Sequence, residues 1–418
     1  MWKQVDENFW KENRESKIDE VTATVQDIID LVRFEGDKAL FDLALKFDKT
    51  VLKDLEVSRD EIEEAYENVD PVLLDELENA AEFIQRFHEL QVPEDLWLKE
   101  IEPGITLGVK STPLERIGCY IPGGRAPYAS TALMCIIPAR VAGVSEVICC
   151  TPPSVDPVTL VAMDIAGADE IYKVGGAQAI AAMALGTESI EPVQKIVGPG
   201  NVYVTAAKTV LRKNVEIDFP AGPSEIGVLA DDTADAEFVA ADIIAQAEHD
   251  PSSACLLVTT DPGLPGEVWS FIEKQMRDAP RKEIIAAALK NSGYIVEEDI
   301  EIAAEIMNGI APEHLSIQVR DPLDVLSKTT NAGSIFIGPY SPVAAGDYAS
   351  GTNHVLPTAG HAATMSGLNV AHFRKTSTVQ MISRDGLAAI APTIIAISEA
   401  EGFHAHAESV KIRGRKKE

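Results

Sequence analysis

The 418-residue sequence predicts an α/β protein in which two α/β units follow a helical N-terminal segment. From about residue 115, short β-rich runs such as RIGCYIP and EVICC alternate with alanine-rich runs such as AQAIAAMALG. This alternation is typical of parallel strands joined by crossover helices. Before that point, residues 16–92 place apolar side chains every three to four positions, which predicts amphipathic helices.

The helical segment carries two candidate N-caps, Ser16 and Ser58, whose hydroxyl groups can accept the first free backbone N–H groups of a helix. A second alternating series of strands and helices follows the first and includes a helical stretch over residues 266–291. A last helix is predicted over residues 386–402, although Pro392 falls in its first turns.

The charge balance argues against two classes of partner. The chain has 66 acidic and 36 basic residues and a net charge of −30, which opposes binding to nucleic acid or to an anionic membrane. Neither a long apolar run nor a secretion signal occurs, which predicts a soluble cytoplasmic protein. The basic run KIRGRKKE at 411–418 is predicted to be a loose, solvated end.

The cysteines show no Cys-x-x-Cys spacing, and several lie in apolar runs such as SEVICCTPP. They are therefore predicted to be buried, reduced thiols. The five positions are Cys119, Cys135, Cys149, Cys150 and Cys255.

Four turns are rich in glycine, at 122–124, 174–176, 198–201 and 221–225. Glycine lets backbone amides approach a ligand closely, and a helix that follows such a turn favours an anionic group such as a pyrophosphate. The Gly-x-Gly-x-x-Gly fingerprint of dinucleotide-binding domains does not occur. The turns therefore fit either a nucleotide site or ordinary tight turns.

Seven of the eight histidines lie in the second half of the chain, where they can supply metal ligands. Gln246 and His249 are three residues apart near the end of a predicted helix, so an amide oxygen and an imidazole nitrogen can bind one ion. The same spacing also fits a solvated helix end. On this pattern alone, His404 and His406 are surface residues.

Further polar side chains fall in loops and at a strand end. Asp347, His354 and His361 lie in the small-residue segment AAGDYASGTNHVLPTAGH, where they are either reactive groups or ordinary turn residues. Glu313 and His314 come just before a predicted strand, and both can reach one ligand only at a strand end or in a loop. No Gly-x-Ser-x-Gly elbow occurs, which argues against a serine nucleophile.

Taken together, eight segments resemble the histidinol dehydrogenase family, in the family's order, from Glu115 to His406. The segments are CYIPGGRAPYAS, VGGAQAIAAMALGTESI, KIVGPGNVYVTAAK, DFPAGPSEIGVLAD, AQAEHD, APEHLSIQ, AGDYASGTNHVLPT and EGFHAH. Any one of them can arise by chance, whereas eight in register form a highly specific match.

The resemblance implies a zinc ion that binds the imidazole and amine of histidinol through two nitrogen and two oxygen ligands. The matching ligand positions are Gln246, His249, Asp347 and His406. Further positions that match substrate contacts are Ser224, His354 and Glu401, besides His314 and the four metal ligands. The positions that match contacts to the cofactor NAD are Tyr120, Gln178 and Asn201.

The resemblance also implies the catalytic roles. His314 matches the general base for the alcohol, and an imidazole near its normal pKa accepts a proton at neutral pH as hydride leaves the carbon. Glu313 matches the residue that activates water for addition to the aldehyde. The resulting hydrate is oxidised a second time, so that two NAD molecules are consumed for each histidine formed.

The family's fold implies two incomplete Rossmann-like domains in an intertwined homodimer. Glu401 and His406 would then complete the active site of the partner subunit. The predicted division is an N-terminal segment (1–15), a discontinuous first α/β domain (16–118 and 226–368), a second, Rossmann-like domain (119–225) and a C-terminal segment exchanged in the dimer (369–418).

Two features leave alternatives open. His404 is an additional histidine that can compete with His406 as a ligand. Two other activities fit parts of the pattern: a dehydrogenase of the same fold acting on another small polyol or sulfonated alcohol, and a zinc hydrolase in which Glu313 activates metal-bound water without a nucleotide. The intact GDYASGTNHVLPT segment favours histidinol.

Overall fold

A computed structural model describes residues 2–6, 8, 18–124, 127–220 and 222–415. The predicted N-cap Ser16, most of the predicted N-terminal segment 1–15 and Ala221 of the fourth glycine-rich turn lie outside these residues.

The strands are β1 (Lys3–Gln4), β2 (Leu96–Glu102), β3 (Ile105–Pro113), β4 (Arg116–Tyr120), β5 (Glu146–Cys150), β6 (Glu170–Tyr172), β7 (Lys195–Val197), β8 (Glu216–Ile217), β9 (Glu225–Ala230), β10 (Ala254–Thr259), β11 (Gly293–Val296), β12 (His314–Gln318), β13 (Ser334–Ile337) and β14 (Arg374–Ile382). The α-helices are α1 (Ile18–Glu35), α2 (Asp37–Leu43), α3 (Arg59–Glu67), α4 (Pro71–Glu89), α5 (Ala129–Val141), α6 (Pro157–Ala166), α7 (Gly176–Leu185), α8 (Val202–Leu211), α9 (Ala236–Ala247), α10 (Leu264–Met276), α11 (Lys282–Ala288), α12 (Ile300–Ile310), α13 (Pro322–Lys328), α14 (Val343–Tyr348), α15 (Arg384–Ala400) and α16 (His404–Arg415).

Two parallel sheets form the centre of the fold, which confirms the predicted α/β class. The first has five strands in the order β6-β5-β4-β7-β8, and the second has six in the order β1-β11-β10-β9-β12-β13. Leaving out the edge strand β1, both sheets arrange their strands as third, second, first, fourth and fifth along the chain. This is the order of a Rossmann-type sheet, and its direction reverses between the first and fourth strands.

The predicted N-terminal helices are confirmed. Ser58 caps α3 in a capping box, since its hydroxyl accepts from the Glu61 backbone N–H at 3.2 Å and the Glu61 carboxylate accepts from the Ser58 N–H at 2.8 Å. Val25 and Ile29 of α1 are fully buried in the core that also contains Ile180 of α7. The helical start therefore covers the five-stranded sheet.

The chain divides into two compact units that do not follow the predicted domain boundaries. The first consists of Met1–Gln91 and Glu115–Phe373 and holds both parallel sheets. The boundary near residue 118 was inferred from a change in composition, which carries no information about which helices cover which sheet. The proposed domains remain a prediction. The candidate site lies in the unit that holds both sheets.

The second unit consists of Val92–Leu114 and Arg374–Glu418. Its three strands, in the order β14-β3-β2, pair antiparallel, and α15 packs against α16. The sequence pattern did not predict these strands, because β2 (LWLKEIE) exposes every residue and shows no alternation of apolar and polar positions. The predicted loose end is wrong for 411–415, which continue α16.

Two further expectations concern single residue types. All five cysteines are free and buried, as predicted, and burial raises the pKa of the Cys255 thiol to about 12. The predicted C-terminal helix forms as α15 and contains Pro392, as expected. In the described ranges, no helix combines the length and apolar character that crossing a bilayer requires.

Candidate active site

A cavity of about 530 Å³ in the first unit brings six of the twelve predicted site residues together. One wall follows the carboxyl ends of β7 and β8 in the five-stranded sheet, at Gly198, Pro199, Asp218 and Phe219. The other wall lies at the amino ends of β9 and β12 in the six-stranded sheet. The predicted residues that line the cavity are Ser224, His249, Glu313, His314, Asp347 and His354.

Parallel pairing of β9 with β12 explains how residues far apart in sequence meet. The register places His314 opposite Ile226 and Leu315 opposite Gly227. Residues 224–225 and 313–314 therefore lie side by side where the two strands begin. At this end of a parallel strand the first backbone N–H groups are free to bind a side chain.

Glu313 uses one of these N–H groups. Its Oε2 accepts a hydrogen bond from the Glu225 backbone N–H at 2.8 Å and another from the Ser224 hydroxyl at 2.6 Å. The Ser224 oxygen in turn accepts from Nε2 of Gln246. Glu313 is only 6% exposed, so these donors hold its carboxylate in one orientation at the cavity wall.

The proton positions on His314 follow from its partners. Nδ1 lies 3.0 Å from the Glu225 carbonyl oxygen, which can only accept, so Nδ1 carries a proton. Nε2 is buried and has no hydrogen-bond partner among the described residues, since the nearest Asp347 oxygen is 3.6 Å away. Nε2 is therefore the atom that can exchange a proton with a ligand in the cavity.

The pKa of His314 differs from the ordinary value expected from the sequence. Burial lowers the pKa of His314, but the carboxylates of Glu313 and Asp347 outweigh this effect and raise it to about 10. With only the protein's own charges, the imidazole is protonated at neutral pH. A positive charge near Asp347 would offset the effect of that carboxylate and lower the pKa of His314.

Asp347 is surrounded by imidazoles. Burial would raise its pKa, but His314, His354 and His249 outweigh burial and lower it, so the carboxylate stays charged. Burial also lowers the pKa of His354. Its Nδ1 lies 2.9 Å from the Asp347 carbonyl oxygen and its Nε2 lies 3.3 Å from the Thr131 hydroxyl. These contacts place His354 beside Asp347 at the cavity wall.

Gln246 and His249 lie where α9 ends, as the sequence predicted. Gln246 is 2% exposed, and because its Nε2 donates to Ser224, the amide oxygen Oε1 is left buried with no hydrogen-bond partner within the described ranges. A buried, unsatisfied carbonyl oxygen is costly unless a ligand completes it. An amide oxygen, an imidazole and a carboxylate, the groups that Gln246, His249 and Asp347 carry, are ligand types that suit zinc or a similar divalent cation.

Zinc is usually bound by four ligands, so these three protein groups alone would leave a metal site incomplete. Among the residues that the structure describes, no group of three or more His, Cys, Asp or Glu side chains is arranged to hold a metal ion. Gln246 is an amide, and the fourth expected ligand, His406, belongs to the second unit, as do Glu401 and His404. The metal site, with Glu401 and His406 as contributors, thus remains a prediction.

The predicted cofactor residues lie around the carboxyl edge of the five-stranded sheet. Tyr120 ends β4, Asn201 follows β7, and Gln178 lies in the first turn of α7. The Tyr120 hydroxyl accepts from the Gly176 N–H at 3.0 Å, and burial raises the pKa of Tyr120 to about 12, so it keeps its own proton. Strands β4 and β7 flank the point where the strand order reverses, which is where doubly wound sheets bind nucleotides.

The glycine-rich turn at 198–201 does not leave a free helix end. The Asn201 side chain caps α8 by accepting from the N–H groups of Tyr203 at 3.0 Å and Val204 at 3.2 Å. The expected anion site at this helix is therefore largely filled by the cap. The Asn201 amide nitrogen is the group left to donate to a ligand.

Some cavity residues escaped sequence analysis, and some predicted ones lie elsewhere. Thr131, Arg281 and Asp218 line the cavity although sequence analysis assigned them no role, because only the tertiary fold brings them there. His361 begins a short 3₁₀ helix and does not line the cavity.

Comparisons with known proteins agree with this geometry. The family model described as histidinol dehydrogenase matches residues 11–414. The histidinol dehydrogenase of Methanosarcina barkeri is 51% identical over 405 residues, 96% of this chain and 94% of the relative, and that of Archaeoglobus fulgidus is 49% identical over 411 residues, 97% and 99%. The crystal structure of histidinol dehydrogenase from Elizabethkingia anophelis is similar with a TM-score of 0.94 at 41% identity, covering 99% of this chain and 97% of that chain.

Asp242 of α9 should make the stability of the protein depend on pH. It is buried and accepts a hydrogen bond from the Val343 N–H at the start of α14. Burial raises the pKa of Asp242 to about 6, from 3.8. The folded protein therefore gains stability from this group below pH 3.8 and loses it as the pH rises to about 6. We expect Asp242→Asn to be more stable than the wild type above pH 6, by about 2 kcal/mol.

The measurement is the free energy of unfolding in urea at several pH values. Asp231→Asn is the matched control with the opposite sign. Burial raises the pKa of Asp231, but hydrogen bonds from Thr233 and Arg320 outweigh burial and lower it, so this variant loses stability at neutral pH. A stability difference for Asp242→Asn that stays constant from pH 4 to pH 7 contradicts the prediction.

Proposed function

The chain belongs to the histidinol dehydrogenase family, and we propose that it oxidises L-histidinol to L-histidine through L-histidinaldehyde, with a bound zinc ion and two molecules of NAD. The observation that carries the proposal is the cavity lined by Glu313, His314, His249 and Asp347, with Gln246 hydrogen-bonded to Ser224 at its wall. This reaction is the last step of histidine biosynthesis.

Gln246, His249 and Asp347 would hold the metal, with His406 as the fourth ligand. The buried and unsatisfied Oε1 of Gln246 supports this assignment. When bound, zinc supplies a positive charge that orients the imidazole and amine of the substrate and offsets the charge of Asp347. Ser224, His354 and Glu401 would make further contacts to the substrate.

His314 would accept the proton of the substrate alcohol on Nε2. Its Nδ1–H is held by the Glu225 carbonyl oxygen, so the lone pair of the neutral ring points toward the cavity. As the alcohol proton moves to Nε2, hydride leaves the carbinol carbon for NAD, and the aldehyde forms. Once the charge of Asp347 is offset, the pKa of His314 falls from its raised value, so the ring can be neutral and accept the proton.

Glu313 would then take a proton from water as the water oxygen adds to the aldehyde carbon. The hydrogen bonds from Ser224 and the Glu225 N–H fix one carboxylate oxygen and leave Oε1 for the water. The proton held by His314 would pass to the former aldehyde oxygen, which completes the hydrate and restores the neutral ring. The hydrate then loses a second hydride to a second NAD and a proton to His314, which gives the carboxylic acid, and this ionises to the carboxylate of histidine. Each oxidation therefore yields one NADH.

NAD would bind across the reversal point of the five-stranded sheet. Tyr120, Gln178 and Asn201 surround this point, and the turn before Asn201 forms a wall of the cavity. Among the described residues, no side chain caps the start of helix α5, which follows β4, so its first N–H groups can donate to a ligand. The nicotinamide would then lie toward the amino ends of β9 and β12.

The direct test supplies the zinc-loaded protein with L-histidinol and NAD and follows NADH absorbance and histidine formation. We expect two NADH for each histidine, and no product when NAD is omitted. Turnover of a polyol or sulfonated alcohol but not of histidinol would favour a different dehydrogenase. Activity without NAD would favour a zinc hydrolase.

Two histidine variants separate proton transfer from metal binding. His314→Ala should retain zinc but slow both oxidations by about 10²–10⁴-fold, because it removes only the proton acceptor. His249→Ala should lose zinc and histidinol affinity together, because it removes a ligand. Zinc content by elemental analysis and steady-state kinetics distinguish the two results, and wild-type activity in either variant contradicts its assigned role.

We propose a homodimer in which each C-terminal segment completes the partner's site. Apolar side chains of the second unit are exposed to an extent unusual for a monomer's surface. They are Val92, Leu96, Trp97, Leu98, Ile101, Met381, Ile382, Ile397, Phe403 and Ile412, between 37% and 61% exposed. A second copy of the chain would cover such a surface.

Co-expression of two inactive variants tests the exchange. If His406 serves in trans, a mixed dimer of His314→Ala and His406→Ala contains one intact site, so random mixing should restore about a quarter of wild-type activity. Each variant expressed alone is the control. A dimer by sedimentation that shows no recovery would mean that His406 acts within its own chain.

A further inference from the structure

A buried ion pair lies directly behind the turn that forms one wall of the cavity. Lys208 of α8 pairs with Asp218, which follows β8, and their side chains are only 3% and 1% exposed. Sequence analysis did not single out either residue, and the reaction proposed above gives neither a role. The pair is the most completely buried ion pair among the described residues.

The pair holds both backbone polar groups of one residue, Gly198. Lys208 Nζ donates to the Gly198 carbonyl oxygen at 2.9 Å, and Asp218 Oδ2 accepts from the Gly198 N–H at 2.8 Å. The other oxygen of Asp218 accepts from the N–H of Phe219 at 2.7 Å. The peptide groups on either side of Gly198 are thus fixed by opposite charges.

Only glycine fits at position 198 of this turn. Its φ of +112° lies in the region that favours glycine, and a Cβ atom would come within 2.2 Å of the Tyr120 carbonyl oxygen. The turn therefore lies directly against the end of β4. Tyr120 and Asn201, on the two sides of Gly198, are both residues to which a dinucleotide contact has been assigned above.

Stability alone does not account for a buried ion pair. Removing two charges from water is costly, and replacement of such a pair by uncharged side chains of similar size is often neutral or stabilising. Both charges are needed, however, to hold Gly198 in place, because its carbonyl oxygen requires a donor and its N–H requires an acceptor. A turn fixed before the ligand arrives also avoids the ordering cost on binding.

We infer that the Lys208–Asp218 pair is a positioning device for the dinucleotide: it holds the 198–201 turn in its binding conformation and so sets NAD affinity without contacting NAD. This inference rests on the proposed function. Asn201 would make the contact, and the pair would fix its place relative to Tyr120.

The variant test compares the charged pair with a neutral one. Lys208→Met alone leaves the Asp218 charge buried and should lower both the melting temperature and NADH affinity. The double variant Lys208→Met, Asp218→Asn removes both charges and keeps an acceptor at 218. We expect it to regain most of the melting temperature, while the NADH dissociation constant, from fluorescence titration, stays raised by more than about tenfold.

A matched control lies at the opposite edge of the same sheet. Arg116 at the start of β4 pairs with Glu170 at 2.6 Å, far along the strands from the turn. Arg116→Met, Glu170→Gln should change the melting temperature but not NADH affinity. In the double variant at 208 and 218, zinc content and histidinol affinity should also stay near wild-type values, which general damage to the fold would not allow.

Hydrogen–deuterium exchange of the unaltered protein provides a test that does not depend on any variant folding. The Gly198 N–H should be strongly protected without NADH and gain little protection when NADH is added. Fast exchange that slows only on binding would overturn the inference, as would a double variant that regains NADH affinity together with stability. A wild-type protein that binds no NADH would instead overturn the proposed function, and the inference with it.

Discussion

The parallel pairing of β9 with β12 is the constraint on which the rest of the site depends. It pairs His314 with Ile226, the residue after Glu225. The Nδ1–H of His314 can then donate to the Glu225 carbonyl oxygen, and the Glu225 N–H donates to the Glu313 carboxylate. Glu313 gains an N–H donor and His314 gains a carbonyl acceptor from the same residue. The orientation of both catalytic candidates is therefore a consequence of sheet register.

The charges around the cavity are unbalanced in a way that points to a cation. Glu313 and Asp347 are both largely buried beside His314, and the amide oxygen of Gln246 has no hydrogen donor within the described residues. A protein interior seldom leaves a buried acceptor unsatisfied next to a buried carboxylate. A bound divalent cation would satisfy the oxygen, offset the carboxylate and bring the proton affinity of His314 into a useful range.

The two parallel sheets have the same strand order but contribute to the cavity through opposite edges. The five-stranded sheet contributes its carboxyl edge, where doubly wound sheets usually bind ligands. The six-stranded sheet contributes its amino edge, where the Glu225 N–H donates to the carboxylate of Glu313. One edge is thus suited to a nucleotide and the other to proton transfer, and the cavity joins them.

The sequence by itself determined the local features. It predicted the alternation of strands and helices, the cap at Ser58, the buried thiols and the position of Gln246 near a helix end, because each depends on neighbouring residues. Motif order also identified the family, and with it the positions predicted to be catalytic or to bind the metal and substrate. None of these inferences required knowing which strand pairs with which.

Only the tertiary structure decided the rest. The repeated strand order left no trace as a sequence repeat, and the exposed strand β2 gave no periodic signal. The raised pKa of His314 and the unsatisfied oxygen of Gln246 depend on groups that lie far away along the chain. The same holds for the Lys208–Asp218 pair behind Gly198. Burial and electrostatic fields are sums over distant neighbours, and a linear sequence does not state who those neighbours are until the strands have paired.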